Sequence, residues 1–289
     1  MTEMKDGVCD LASGYRLTKN SDYAKKAEEL LIHFFLKEET KMNPSLCYAQ
    51  AIPGICSGRG IGLIDTIHLI DLPFGIEALR PVLQDWVYDG LRNWFSDYLN
   101  WMITHEYGVA ERNEPNNHSV CWYAQAAVFA KFTENVQVLQ ECKEAFCERL
   151  LTEQMGTDGS FPLELGRTKP YNYSLFIMEI FSYLCQVLSD DELNLWEFSL
   201  ADGRGMKKGL DFLLPFLEDK KKWCYGEDVE WFDAFPVQTS FLLFGGKAYQ
   251  EERLLNLWEN LPEARASHVE EVRRNTPAKH PYLWMDDVE

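Results

Sequence analysis

Apolar residues recur at intervals of three and four positions along most of this chain, and this spacing restricts the possible folds more than any other feature. Ser21 can cap the first clear segment, whose apolar face is formed by Tyr23, Ala27, Leu30, Leu31 and Phe34. A further helix follows Asn117 and runs through Ala130, and others are predicted over residues 61–72, 82–105, 136–151, 173–188, 206–217, 237–244 and 249–261.

No β-rich stretch of any length competes with these segments, so we predict an all-α fold. Antiparallel helix pairs of this kind either stack in a line or curl into an (α/α)n toroid around a central cleft, and periodicity alone does not choose between the two. The 289 residues suit one large domain or two small ones. We predict a single domain over 1–289.

Two stretches break the helical pattern. Residues 41–62 carry repeated proline and glycine and are predicted to form a long loop. Residues 158–170 are predicted to be a loop or short extended structure. Loops between helices are where a scaffold usually presents its chemistry.

Charge and composition exclude several classes of partner. The formal net charge is −18, which argues against a nucleic-acid or anionic-membrane surface because both attract basic faces. No apolar run reaches membrane-spanning length. The N-terminus shows no signal peptide, which predicts a cytoplasmic protein, or a secreted or periplasmic one if a leader has been removed. The eight cysteines lack Cys-x-x-Cys spacing and are expected to be reduced core thiols.

Four residues in two of the junctions between loops and helices form a chemically coherent set. Asn117 and His118 stand at the start of one predicted helix, Arg167 lies in the irregular segment, and Tyr173 starts the next helix. Each also has an ordinary structural interpretation: an asparagine can cap a helix, an arginine can be a surface residue and a tyrosine can belong to the core.

Together, amide, imidazole, guanidinium and phenol are what an enzyme needs to remove a proton next to a carboxylate. Arg167 and Asn117 could neutralise the carboxylate and favour the enolate-like transition state. His118 or Tyr173 could then act as base, and a phenol needs a cationic neighbour for that role at neutral pH. The chemistry requires no metal or cofactor, and no clustered His/Asp/Glu spacing suggests a metal site.

These motifs resemble the alginate lyase superfamily of polysaccharide lyases, in particular its glucuronan and alginate lyase branch. Asn117-His118 matches the Asn-Asn-His motif of that family, Arg167 its Leu-Glu-Leu-x-Arg, and Tyr173, within Tyr-Asn-Tyr-Ser-Leu-Phe, its catalytic tyrosine. The resemblance implies a toroid in which Asn117 and Arg167 neutralise the carboxylate, and His118 and Tyr173 transfer protons. The loop at 42–62 and the Pro-Tyr-Leu-Trp sequence at 281–284 resemble its cleft-lining loop and its C-terminal closing motif.

The chain also departs from the family pattern. Cys121 stands where members commonly have a tryptophan, with Trp122 next to it. Longer relatives carry helices upstream of the segment that corresponds to residue 1, so the resemblance leaves open whether the toroid is complete. Substrate contacts are predicted for Gln50, Arg59, Trp122, Lys169 and Tyr171.

The leading hypothesis is therefore a lyase that cleaves a 1,4-linked polyuronate, or a shorter uronate oligosaccharide, by β-elimination. One alternative keeps the fold and the proton-abstracting groups but uses a small hydroxylated acidic metabolite, as a dehydratase or isomerase does. Another is a non-catalytic toroid that binds sugar or protein. The sequence does not determine the epimer preference, endo or exo action, or the oligomeric state.

Overall fold

In the computed structural model, which describes residues 1–285, helices account for most of the chain and no β-strand occurs. The prediction of an all-α fold is confirmed. The α-helices are α1 Thr2–Thr18, α2 Ser21–Leu31, α3 Asp71–Leu79, α4 Asp85–Thr104, α5 Glu106–Arg112, α6 Asn117–Phe132, α7 Val136–Ala145, α8 Leu151–Gln154, α9 Pro162–Leu165, α10 Pro170–Leu188, α11 Met206–Glu218, α12 Ser240–Ala248, α13 Glu252–Asn260 and α14 Glu270–Arg274.

Tighter and wider helical turns extend or connect these elements. The 3₁₀ segments are Gly60–Ile70, Lys220–Lys222, Phe232–Ala234, Ala264–Ala266 and Pro281–Trp284. Two π segments, Ile32–Leu36 and Phe146–Leu150, continue α2 and α7. No helix within residues 1–285 is both long enough and apolar enough to cross a bilayer.

Contacts along the backbone group the chain into two compact units. The first comprises Met1–Asn113, Val128–Val136 and the chain from Pro277 onward, and the second comprises Glu114–Ala127 and Gln137–Thr276. Helix α6 thus begins in the second unit and ends in the first. The single domain over 1–289 stays a prediction.

Helices α1 and α2 form an antiparallel pair in the first unit. Only Lys19 and Asn20 link them, and a link this short between packed helices reverses the chain direction. Lys19 adopts the left-handed conformation with φ 58°, and the Asn20 side chain accepts a hydrogen bond from the Asp22 N–H. Asn20, rather than the expected Ser21, is therefore the N-cap of α2.

The C-terminal segment is held in the first unit by Asp71, a fully buried carboxylate. The Trp284 indole donates to Asp71 Oδ1 at 2.8 Å, the Lys279 backbone N–H donates to Oδ2 at 2.9 Å, and Lys5 Nζ lies 3.2 Å from Oδ2. Trp284 also stacks on Phe74 at 4.2 Å between ring centroids. The sequence at 281–284 thus fixes the end of the described chain to the first unit.

Three buried carboxylates in the second unit cap helices that are distant in sequence. Asp228 accepts from the Tyr171 and Asn172 N–H groups at the start of α10, and Glu179 accepts from the Ser240 and Phe241 N–H groups at the start of α12. Glu164 caps α6 in the same way. Each carboxylate satisfies N–H groups that a helix start leaves without partners, and each places negative charge at the positive end of the helix dipole.

Candidate active site

Two almost completely buried helices of this fold each keep one titratable residue partly exposed in their first turn. In α6 only His118 and Lys131 are not buried, and in α10 only Tyr173 and Gln186 are not buried. His118 is the second residue of α6 and Tyr173 the fourth residue of α10. Both side chains therefore stand at helix N-termini, whose first N–H groups are already capped by the carboxylates of Glu164 and Asp228.

Asn116 and Asn117, at the start of α6, have different roles. The Asn116 side chain accepts a hydrogen bond from the His118 N–H at 3.2 Å, which makes it the cap. The Asn117 side chain is 1% exposed, and its amide donates to Glu164 Oε2 at 2.8 Å while its backbone N–H donates to Oε1 at 2.9 Å. Glu164 takes one of the two amide hydrogens, and the contact between Asn117 and a substrate carboxylate stays a prediction.

Glu164 connects three of the four predicted catalytic groups, Asn117, His118 and Arg167, and was not predicted from the sequence. The residue is 0% exposed, its Oε2 lies 3.7 Å from Arg167 Nη1, and its charge is also coupled to that of His118. Burial raises the pKa of Glu164, and the hydrogen bonds from Asn117 and the charge of Arg167 oppose that rise. The sequence signal that could have indicated Glu164 is its place between two leucines in a short helical turn, where the fold buries it.

Arg167 and Tyr173 lie against each other. The Arg167 guanidinium carbon is 4.2 Å from the centroid of the Tyr173 ring, and 34% of the Arg167 side chain is exposed. The turn that presents Arg167 is fixed locally because its N–H donates to the Glu164 carbonyl at 3.1 Å. This cation can meet an incoming carboxylate and at the same time lies beside the phenol.

The second unit thus brings together the four residues predicted to be catalytic. Asn117 and His118 come from the start of α6, Arg167 from the turn after α9, and Tyr173 from the start of α10. Glu164 joins the first pair to Arg167, and Arg167 contacts Tyr173. The arrangement offers a cation for a carboxylate and two groups able to transfer protons.

Three of the predicted substrate contacts have other roles in the structure. Tyr171 is 0% exposed and its hydroxyl donates to the Phe216 carbonyl at 3.1 Å, so it packs in the core. Trp122 is 3% exposed and is likewise a core residue. Lys169 Nζ lies 3.0 Å from Glu230 and 2.6 Å from Glu271, so two carboxylates already neutralise it. The helical burial of α6 and α10 explains the first two corrections.

Gln50 and Arg59, the other two predicted contacts, form a polar pair in the first unit. Arg59 Nε donates to the Gln50 carbonyl at 2.9 Å and Nη2 donates to Gln50 Oε1 at 3.2 Å. Gln50 has φ 49° and its amide donates to Asp65 at 3.2 Å. A positive φ is uncommon for a residue other than glycine, and here the hydrogen bonds with Arg59 and Asp65 hold Gln50 in this backbone conformation. Their contact with substrate stays a prediction.

One group of side chains in the first unit has the composition of a metal site. Single ligand atoms of Cys9, Asp71 and His280 lie within 4.8 Å of one another and all three residues are buried. Lys5 is also buried there, with its ammonium group 3.2 Å from Asp71. Because this ammonium supplies the positive charge that balances Asp71, the donor set fits a buried ion pair better than a metal ion. All eight cysteines are free thiols.

Comparisons with known proteins show the family and the fold. A family model described as alginate lyase matches residues 1–223. An alginate lyase from Bacteroides ovatus superimposes with a TM-score of 0.83 at 25% sequence identity, covering 98% of this chain and 73% of that chain. No match was found among curated proteins.

A second set of solved structures shares the fold at lower identity. Alginate lyase A1-III from Sphingomonas species A1 matches with a TM-score of 0.63 and 14% identity, covering 98% of this chain and 76% of that chain. A tyrosine-to-phenylalanine variant of A1-III complexed with tetrasaccharide matches with a TM-score of 0.63 and 13% identity, covering 98% and 77%.

Proposed function

The chain belongs to the alginate lyase family and is a polysaccharide lyase, and from this premise we propose that its substrate is a 1,4-linked polyuronate of the alginate or glucuronan type, or a shorter uronate oligosaccharide, cleaved by β-elimination. An acidic carbohydrate is supported by the tetrasaccharide complexed with a variant of A1-III and by the cation that Arg167 presents. The net charge of −18 makes a local cation necessary for binding such a substrate.

Arg167 binds the uronate carboxylate in this proposal. Its guanidinium can pair with both carboxylate oxygens, which neutralises the group and makes the neighbouring C5 proton easier to remove. Asn117 donates its second amide hydrogen to this carboxylate, and Glu164 holds Asn117 and Arg167 at the spacing the carboxylate requires.

His118 and Tyr173 carry the proton transfers. One takes the C5 proton, and the electron pair of the C5–H bond passes into an enolate of the carboxylate. That pair then forms the C4–C5 double bond as the C4–O4 bond breaks, and the other group protonates the leaving O4. Tyr173 does both when proton and leaving group lie on the same face of the sugar ring. The products are a new non-reducing end with a 4,5-unsaturated uronate and a shortened chain.

The observation that carries this proposal is the contact of Arg167 with Tyr173 at 4.2 Å. The guanidinium lies where a cation stabilises negative charge on both the phenol and a carboxylate beside it. If Tyr173 were an ordinary core residue, it would be buried like most of α10. Its partial exposure beside Arg167 favours a functional role.

The test is ultraviolet absorbance of the unsaturated uronate during incubation with glucuronan, polymannuronate and polyguluronate. We expect an increase on at least one polymer, and a loss of about 10³-fold in kcat for Tyr173→Phe, the scale of a missing proton-transfer group. Tyr23→Phe, which alters an exposed tyrosine of α2 in the first unit, is the matched control and should keep full activity. Folded protein with no absorbance change on any of the three polymers would contradict the proposal.

A further inference from the structure

Trp231 is exposed and conformationally unusual. Its surface is 52% accessible and its backbone has φ 60° and ψ 18°, the left-handed region. Within residues 1–285, its ring makes no aromatic contact and its indole N–H makes no hydrogen bond. A bulky side chain at positive φ is a genuine outlier, which persists only when the surrounding structure imposes it, and such residues concentrate at functional sites.

The segment around Trp231 is anchored on both sides. Before it, Asp228 accepts from two N–H groups of α10 and the Val229 N–H donates to the Thr168 carbonyl at 3.1 Å. After it, Lys220 donates to the Phe232 and Phe235 carbonyls. These anchors fix the backbone on both sides of Trp231, so the surrounding structure imposes its left-handed conformation.

The anchors on the N-terminal side fall on the short segment that joins the two candidate catalytic side chains. Thr168 follows Arg167 directly, and the start of α10 leads to Tyr173. Because two residues span at most about 7 Å of backbone, the Trp231 backbone lies within that distance of the Val229 backbone, which is bonded to Thr168. The backbone of Trp231 therefore lies near the turn that carries Arg167.

Other aromatic residues of the same region serve packing instead. Trp223 and Tyr225 contact each other at 5.0 Å between ring centroids, and Phe216 contacts Trp223 at 5.1 Å. Tyr171 is buried. A loop that needed an aromatic residue only to anchor itself would bury Trp231 in this cluster, and it does not.

We propose that the Trp231 indole is a stacking surface for one sugar ring of the bound chain, next to the ring whose carboxylate Arg167 holds. This proposal rests on the proposed function, because it assigns a further subsite of the same substrate. Glu230 and Asp233 are exposed near Trp231, and each lies beside a lysine, Glu230 at 3.0 Å from Lys169 and Asp233 at 3.9 Å from Lys220, so this loop presents little net charge to a sugar. The face that stacks on the indole is the C–H face of the pyranose ring.

The Trp231→Asn variant distinguishes an effect on sugar binding from an effect on stability. Asparagine accepts the left-handed conformation more readily than tryptophan, so the variant should unfold at a melting temperature about 2 °C higher than the parent protein. Tetrasaccharides of glucuronan, polymannuronate and polyguluronate are tested, and the affinity for the one that binds most tightly should fall about tenfold, which corresponds to about 1.4 kcal/mol. A residue with only a structural role would not give higher stability together with weaker binding.

Calorimetric titration with the tetrasaccharide is carried out in the Tyr173→Phe background, where the ligand is not consumed. Trp86→Asn is the matched control, since Trp86 is 54% exposed in the first unit and should leave affinity unchanged. Trp231→Phe should recover most of the affinity. Because stacking does not depend on net charge, the affinity ratio between the Trp231→Asn variant and its parent should not change between low and high salt.

The outcomes separate the two proposals. Unchanged affinity in Trp231→Asn, with polymer cleavage by the unmodified protein, overturns the stacking subsite and leaves the lyase proposal standing. Binding without cleavage, weakened by Trp231→Asn, supports the subsite and contradicts the proposed reaction. Absence of both cleavage and tetrasaccharide binding overturns both.

Discussion

Glu164 holds a negative charge in a buried position between groups that are expected to face a substrate carboxylate. Two of its contacts come from Asn117, and the third is the longer approach to Arg167 at 3.7 Å. An acidic group beside Arg167 weakens the net positive charge proposed to bind a carboxylate, so we infer that its benefit lies in orientation. We interpret Glu164 as a positioning residue that fixes the start of α6 relative to the Arg167 turn.

Replacing Glu164 should affect turnover and stability to different degrees. Glu164→Ala leaves two buried donors of Asn117 without an acceptor and should lower the free energy of unfolding by about 2–4 kcal/mol. Glu164→Gln keeps one acceptor, so it should cost less stability and still reduce kcat about tenfold or more through misplacement of Arg167. Urea unfolding and initial rates measure both quantities. Glu153→Gln, at a half-exposed acid paired with Arg149, should change neither.

Arg167→Lys tests whether the guanidinium itself is required. Lysine keeps the positive charge but cannot stack on Tyr173 with a planar group or pair with both oxygens of a carboxylate. We expect kcat/KM to fall about 100-fold, with the free energy of unfolding changed by less than about 1 kcal/mol, since the Arg167 side chain is 34% exposed. Arg253→Lys, at an exposed pair with Glu218 outside the site, is the control. Equal rates for the Arg167→Lys variant and the unmodified protein would argue against carboxylate pairing.

At the residue level, the sequence allowed the type of chemistry to be predicted better than the individual contacts. His118, Arg167 and Tyr173 were predicted because their groups together suit proton removal beside a carboxylate and because their motifs resemble those of the alginate lyase superfamily. Tyr171 was misassigned because it is only two residues from Tyr173. Helical geometry turns such neighbours to different sides of α10, and here Tyr171 is fully buried whereas Tyr173 is partly exposed.

The helix elements of the second unit depend on buried carboxylates from distant parts of the chain. Glu179 lies in the middle of α10 and accepts from two N–H groups at the start of α12, and from the Tyr183 hydroxyl at 2.7 Å. Burial raises the pKa of Glu179, and these hydrogen bonds oppose the rise. Such a cap depends on tertiary structure, so the usual Ser/Thr/Asp signal before α12 does not reveal it.

Glu179→Ala should therefore destabilise the protein by about 3 kcal/mol, because it leaves buried N–H groups unsatisfied and opens a small cavity. Glu179→Gln retains a carbonyl acceptor and should cost clearly less. The measurement is the midpoint of urea unfolding at neutral pH. Glu252→Ala, at an exposed acid in the first turn of α13, should stay within about 0.5 kcal/mol of the unmodified protein. An effect of Glu179→Ala as small as that of the control would refute the capping role.

At the element level, strong periodicity gave helices close to their observed bounds, and weak periodicity did not. The helix predicted over 206–217 is Met206–Glu218 in the structure. Helix α1 was missed because its buried face contains small residues such as Cys9 and Ala12 and is interrupted by Gly7 and Gly14. The helix predicted over 61–72 is 3₁₀ through Ile70, a distinction that residue spacing does not make.

At the scale of the whole molecule, the chain is strongly acidic, but the first unit also contains a buried pair of opposite charges, Lys5 and Asp71. Lys5 and Asp71 are both 0% exposed. Burial favours the neutral form of Lys5, but the surrounding acidic groups, Asp71 first and then Asp6, together outweigh burial and raise the pKa of Lys5. The charge of Lys5 and the hydrogen bonds from His280 and Trp284 hold the pKa of Asp71 far below its usual range in spite of its burial. Removing one partner would leave an uncompensated buried charge.

His68 makes the stability of this unit depend on pH in a separate window. It is 4% exposed, and burial together with the charges of Lys5 and Lys279 lowers the pKa of His68 to about 3. Since its pKa in the unfolded chain is about 6.5, the unfolded state takes up the proton first as the pH falls. The stability contributed by neutral His68 is thus complete above about pH 6.5 and is lost progressively toward pH 3, whereas that of Asp71 is lost only below about pH 4.

Comparison with His68→Gln, which cannot titrate, isolates this effect from all other groups. The free energy of unfolding of the unmodified protein relative to the variant should fall by about 1 kcal/mol or slightly more for each pH unit between pH 6 and pH 4.5. Glu164, Glu179 and Asp228, whose pKa values are raised by burial, contribute equally to both proteins and cancel in the difference. Urea unfolding at four pH values measures the slope. A difference independent of pH would show that His68 accepts a proton in the folded protein as easily as in the unfolded chain.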